Sequence, residues 1–330
     1  MTYTFIGPNP DFLYSAAYLD GRRRYRIWGR RSNSRMVLMQ SLNSYFTLPP
    51  EQMKLLGNYD LDSLNLGADG SFEIIASATP CAGNWIRLDP DSDRNVVFVR
   101  EAFGDWDNEL RTAMHVEAID DIPPRTMVHD EAEMIRRLEH AVRFMRYCIT
   151  VYSMKVVEDV VALAGGWNCF AVPKFNATHA HAAANPEATY NVLAYDIGPD
   201  EALILELDPP NPKYWGIQLT DCWDQTIDYT YHSSSLNQSQ ARVDADGKIR
   251  AVVCHRDPGI HNWLTPVDSR KGTVVVRWYF AQRISTPSAR SVPFAELGRH
   301  LPDRTATIAP EERRAALQKR RRAIERRYNY

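Results

Sequence analysis

The chain has 330 residues, with 39 Lys and Arg against 41 Asp and Glu, so a formal net charge of −2 gives it no general attraction for nucleic acid or anionic lipid. Hydrophobic residues make up 44% and charged residues 24%, the composition of an ordinary globular chain, and no apolar run of about 18 residues occurs that could span a membrane. The five cysteines at positions 81, 148, 169, 222 and 254 are scattered and lack CxxC spacing, and MTYTFIGPNPDF shows no export leader; the expectation is a cytoplasmic protein with reduced, buried thiols.

In chain order, Asn9-Pro10-Asp11 gives a turn signal ahead of FLYSAAYLD, RRRYRIWGR and RMVLMQSLN, short runs rich in aromatic and β-branched residues. Breaks at Asp20-Gly21 and Arg31-Ser32-Asn33-Ser34 make them successive antiparallel strands. Leu48 to Leu66 reads as a loop with a helical turn, Asp69-Gly70 as a hairpin before FEIIASA, and VVFVREAF as the closing strand. Ile122-Pro123-Pro124 marks a boundary, after which Asp130 is the expected N-cap of a helix through EAEMIRRLEHAVRFMRYCITVYSM. Met134, Leu138, Val142 and Met145 share one face of it, which is expected to pack on a sheet, and Gly165-Gly166 ends the helical region.

A second run of strands begins near Tyr190 with NVLAYDI, ALILELD and YWGIQLTD, turns at Asp246-Gly247 into KIRAVVCH, and closes with TVVVRWYFAQ. The last segment, EERRAALQKRRRAIERRYNY, reads as a basic helix in which Leu317 and Ile324, seven apart, form a stripe for packing on the protein's own body or a neighbouring subunit.

The second run repeats the first. Ala68-Asp69-Gly70 recurs as Ala245-Asp246-Gly247, Asn84-Trp85 as Asn262-Trp263, Arg100 in VVFVR as Arg277 in TVVVR, and Gln40 in MVLMQ as Gln218 in YWGIQ, all displaced by 177 or 178 residues. One offset in one order implies duplication of a β unit. The expected fold is mainly β: two duplicated antiparallel β-sandwich or jelly-roll units, residues 1–120 and 186–285, joined by a helical connector, 121–185, and followed by a C-terminal extension with a basic amphipathic helix, 286–330. There is no βαβ alternation, GxGxxG or Walker loop, so no nucleotide cofactor is expected.

The segments Tyr214–Trp223, Ala245–Val253, His261–Leu264 and Thr273–Tyr279 resemble the family catalogued as domain of unknown function 1214 over roughly residues 190 to 281. Asn9-Pro10-Asp11-Phe12-Leu13-Tyr14 is similar to the opening motif of its companion, domain of unknown function 1254, in a shortened form. The resemblance implies a double jelly roll and a homo-oligomer, in particular a trimer, and implies no reaction, because a fold does not fix chemistry.

For site residues, the duplication separates two classes: a residue present in both copies is assigned to the fold, and one present in a single copy to function. Asn84-Trp85 and Asn262-Trp263 are then structural, and Arg100 and Arg277 are expected to pair with a buried carboxylate or cap carbonyls. Five of the nine histidines fall between 179 and 261 and none before 115. His179-Ala180-His181 puts two imidazoles on one side of an extended segment, where they could hold a divalent metal with a third ligand from His232, Asp224 or His261; the competing reading is an exposed loop of small residues. Asp224 and Asp228 flank a strand end and could act as general acid and base, in reach of His232 and His261, with Trp223, Tyr229, Tyr231 and Trp263 binding substrate; the competing reading is polar turn residues. Cys254 and His255 are adjacent on a strand and point to opposite faces, and no GxSxG elbow occurs. The expectation is a hydrolase or lyase acting on a small hydroxylated or glycan-like molecule at or between the β units; the alternative is a non-catalytic ligand-binding or assembly protein.

Overall fold

The computed structural model describes residues 7–45, 47–48, 52–121, 130–171, 185–208, 212–282 and 284–328. The protein is mainly β. The first unit contains β1 (Phe12–Leu19), β2 (Tyr25–Arg30), β3 (Met36–Leu42), β4 (Leu55–Asp60), β5 (Ser71–Ser77), β6 (Trp85–Arg87), β7 (Asn95–Ala102) and β8 (Ala113–Ala118). The second contains β9 (Ala188–Asp196), β10 (Glu201–Leu207), β11 (Tyr214–Asp221), β12 (Ser235–Asn237), β13 (Ile249–Val253), β14 (Trp263–Leu264), β15 (Lys271–Tyr279) and β16 (Ser288–Pro293). One sheet of each unit has the order β1-β7-β3-β4 or β9-β15-β11-β12, and the other β8-β2-β5-β6 or β16-β10-β13-β14. Strand for strand the two orders are the same, which is the duplication expressed in topology. The pairing is antiparallel except at β5–β6 and β13–β14, which are parallel in both copies. The second unit needs β16, paired to β10, so it extends past the expected boundary at residue 285.

Duplicated residues do duplicated work. Asn84 Nδ2 donates to the carbonyls of Asn65 and Glu73, and its Oδ1 accepts from Asn65 N. Asn262 Nδ2 donates to the carbonyls of Arg242 and Arg250, and its Oδ1 accepts from Arg242 N. Each side chain thus ties a loop, at Asn65 or Arg242, to a strand, at Glu73 of β5 or Arg250 of β13. Gly70 and Gly247 turn the two Asp-Gly hairpins at φ 82° and 83°, a region that penalises any residue with a Cβ.

Strand alternation divides each core in two. On β11, Trp215, Ile217 and Leu219 point into the second sandwich with Leu203, Leu205, Val253 and Val276. The opposite face, beginning at Tyr214, meets the first unit: Phe12, Met36, Leu38 and Ala102 pack there against Tyr214 and Tyr279. Both faces are covered, so β3 is buried at every position and β11 at all but Asp221. The large inward side chains contribute about 1.5–3 kcal/mol each when fully buried.

Between the units run α1 (Glu131–Tyr147) and α2 (Val156–Ala164), joined by a π-helical turn, Cys148–Ser153. Asp130 caps α1 by accepting from Glu133 N, as its sequence requires. The stripe on α1 departs from expectation. Met134, Leu138, Val142 and Met145 are 45%, 59%, 63% and 56% exposed and pack on no sheet. The inner-sheet face they would need is occupied by the second unit, and α1 reaches only its margin, through Phe144 and Tyr147 against Leu42, Val96 and Phe98.

The C-terminal helix α3 (Pro310–Tyr328) docks on its own body. Ile324 is buried and Leu317 half-buried, and arginines at the same seven-residue spacing complete the face. Arg313 bonds Asp257 and the carbonyls of Ile260 and His261, Arg320 bonds the carbonyls of Tyr229 and Ser235, and Arg327 donates to Pro10 O. No helix is long and apolar enough to cross a membrane among the described residues.

Candidate functional site between the two β units

The inner-sheet faces that meet at the unit boundary carry polar residues at equivalent places. In the first unit Tyr14 on β1 stands opposite Arg100 on β7, and Arg100 Nη1 donates to Gln40 Oε1 on β3. In the second, Tyr190 on β9 stands opposite Arg277 on β15, and Arg277 Nη1 donates to Gln218 Oε1 on β11. The two rows converge: Tyr14 lies within electrostatic reach of both Arg100 and Arg277, as does Tyr279. Tyr14 keeps 37% of its surface accessible, and Arg100, Arg277 and Tyr190 are half-buried.

Asp224 adjoins the second row. It follows β11 in a turn held by Asp221, whose Oδ1 accepts from Trp223 N and Gln225 N, and it takes φ 57°, an uncommon conformation for a residue with a side chain. Burial pushes its carboxyl up to about 7, with Asp221 adding to the shift and Arg277 and Thr220 opposing it. A carboxyl that titrates there can exchange a proton at neutral pH. The segment from Gly7 to Asp11 crosses in front of the row. Gly7 O accepts from Gln218 Nε2 at 3.0 Å and Arg277 Nη2 at 3.1 Å, and Pro8 O from Thr226 Oγ1 at 2.8 Å.

Behind this segment is a buried polar hub. Asp11, 1% exposed, accepts from Trp106 Nε1 and Asn237 Nδ2 on one oxygen and from the Tyr214 hydroxyl on the other. Asn9 Nδ2 also donates to the Tyr214 hydroxyl at 2.9 Å. Arg320 and Arg327 of α3 face the same carboxylate.

Residues 172–283 match the family model described as protein of unknown function (DUF1214). The match spans most of the second β unit. The row Gln218–Arg277–Tyr190 and Asp224 all lie within the matched span. Across the wider chain, an uncharacterized protein from Burkholderia cenocepacia superposes with a TM-score of 0.80 at 29% identity, covering 88% of this chain and 79% of its own. The VPA0106 protein from Vibrio parahaemolyticus gives 0.54 at 11% identity, covering 88% and 92%, which shows a shared fold alone. No curated protein matches in sequence.

The other sequence-selected residues of the second β unit fall in different places. His232 Nδ1 lies 3.6 Å from Asp228 Oδ2; Asp228 is exposed and His232 half-buried. Tyr231 is 55% exposed with Arg321 over its ring, and Trp223 is 58% exposed beside Asp224. Tyr229 is buried against α3, 3.5 Å from the Tyr328 hydroxyl. His261 and Trp263 belong to the outer sheet's edge: Trp263 Nε1 donates to Cys254 O under the Arg313 guanidinium, and burial lowers the His261 pKa. The structure therefore brings Asp224 to the inter-unit face and leaves Asp228, His232 and His261 elsewhere. His179 and His181 lie outside the described residues, and among those described no three His, Cys, Asp or Glu side chains converge as a metal site. Burial pushes the Cys254 thiol up to about 12, and His255 bridges the carbonyls of Val267 and Ile197.

Sequence reasoning passed over Gln218, Arg277, Tyr190 and their first-unit counterparts as functional residues. The signal was present: a Gln and an Arg inside otherwise apolar strands, at the same place in both copies. Arg277 partly meets the carbonyl-capping expectation through Gly7 O.

Proposed function

We propose that the protein is an enzyme of the hydrolase or lyase type that acts on a small polar molecule at the face between its β units. Asp224 is the general base, and Arg277 and Gln218 hold an oxygen of the substrate. The observation that carries this reading is the juxtaposition of a carboxyl raised to about 7 with two hydrogen-bond donors gripping one carbonyl oxygen. Donors fixed before charge develops are what stabilises an oxyanion. The test is turnover of p-nitrophenyl esters and glycosides and of small hydroxy and oxo acids, from about pH 5 to about pH 9, by the wild type and by Asp224→Asn. A base role gives kcat/KM that rises through about pH 7 and falls about 100-fold in Asp224→Asn. Equal rates in the two proteins overturn the role, and saturable binding without turnover turns the reading to a ligand-binding protein.

A further inference from the structure

The Gly7–Pro8 segment shows what the second row of donors recognises. Gly7 takes φ +43°, and a methyl group built on its Cα lies 3.0 Å from Asp224 O and 3.3 Å from Asp224 Oδ2. One Cα–H bond of Gly7 therefore points toward Asp224, where the backbone oxygen is the nearest atom and a carboxyl oxygen the next. The adjoining carbonyl oxygen is held by Gln218 Nε2 and Arg277 Nη2, and the next one, on Pro8, by Thr226 Oγ1, with Gln218 Nε2 at 3.4 Å. A C–H with a carboxyl oxygen beside it, next to a C=O gripped by a guanidinium and an amide, brings together the groups needed for removing a proton α to a carbonyl. The main-chain path from Gly7 Cα through its carbonyl carbon, Pro8 N and Pro8 Cα to the Pro8 carbonyl carbon separates the two carbonyl carbons by two atoms. A 4-oxo carboxylate has that spacing.

We propose that the substrate is a small 4-oxo carboxylate and that Asp224 removes a proton from its C5, the carbon flanking the ketone, while Arg277 and Gln218 hold the ketone oxygen and Thr226 the carboxylate. The inference rests on the acid–base reading of Asp224 above. The C–H electron pair becomes the C4–C5 double bond of an enolate, the charge passes to the oxygen between Arg277 and Gln218, and the proton resides on Asp224. Its return completes an exchange cycle; expulsion of a leaving group with its electron pair from the next carbon completes an elimination. In the structure the protein's own Gly7 carbonyl occupies these donors, so the segment acts as a tethered competitor, present at an effective concentration in the millimolar range.

The probe is 4-oxopentanoate incubated with the full chain in deuterated buffer and followed by proton NMR. The site predicts deuterium at the C5 methyl in preference to the C3 methylene. Gly7→Val, whose side chain collides with Asp224 and strains a positive φ, moves the competitor aside and raises C5 exchange about tenfold. Asp224→Asn lowers it about 100-fold. Thermal melting shows whether Gly7→Val folds; should it fail, the wild type and Thr226→Val decide, the latter raising KM with kcat retained. Exchange equal at C3 and C5, or absent at C5 in the folded proteins, overturns the proposal. Ester or glycoside turnover that depends on Asp224 without C5 exchange removes the 4-oxo acid and leaves the acid–base reading; absence of both removes both.

Discussion

Asp224 sits against Gly7 with its carboxyl raised to about 7, and this surrounding has a consequence for stability as well as chemistry. An unfolded aspartate titrates near 3.9, so between about pH 4 and about pH 7 the native protein holds a proton that the unfolded chain has released. Stability then declines as pH rises through that window, and the full penalty stands above it. Asp224→Asn removes the titration. Its melting temperature is expected to fall less than the wild type's between about pH 5 and about pH 8, and to exceed it at the upper end; parallel curves would show that the carboxyl is not raised. Asp224 was legible in the sequence because it lies at the end of a predicted strand in one copy and has no acidic counterpart in the other. Arg277 and Gln218 were not, because both are duplicated, as Arg100 and Gln40, and the rule assigns duplicated residues to the fold.

Among the elements, strands and hairpins were legible because their signals are local: alternation, β-branched runs and Asp-Gly turns at φ 82° and 83°. The paired Asn84 and Asn262 turn that legibility into a measurement. Each makes three hydrogen bonds to the backbone of a loop and a strand. Asn84→Ala and Asn262→Ala should each destabilise by about 2–3 kcal/mol, from the loss of bonds worth about 1 kcal/mol apiece. Urea unfolding of the two variants checks both the size and the equality; a large effect at one site alone would mean that the braces have diverged in use. The apolar stripe of α1 shows the limit of periodicity. Met134, Leu138, Val142 and Met145 lie on one face, yet spacing along a helix says nothing of whether a sheet is vacant opposite it, and here the second unit has covered it. In α3 the sequence showed the stripe of Leu317 and Ile324, while Arg313, Arg320 and Arg327 also anchor the docked face through carbonyls and aromatic rings.

Across the whole molecule, Asp11 is the point where both units and α3 meet: Trp106 comes from the first unit, Tyr214 and Asn237 from the second, and Arg320 and Arg327 from the helix. Contacts that span more than 200 residues leave no local trace, and the sequence showed Asn9-Pro10-Asp11 only as a turn. Desolvation marks the whole cluster: it raises the Asp11 pKa, pushes Arg320 down to about 10 and lowers Arg327. Charges that have lost their water hold together only while each has its partner, and removing one partner of a buried pair costs about 3–5 kcal/mol. Asp11→Ala should therefore cost that much and also uncouple the units, so that tryptophan fluorescence and far-ultraviolet circular dichroism no longer report one urea transition. Asp11→Asn separates the causes. It keeps an acceptor for Trp106 and nearly the same volume but removes the negative charge facing two arginines. If charge binds the units to α3, the amide destabilises almost as much as alanine; if shape and hydrogen bonding suffice, it stays close to wild type with a single transition.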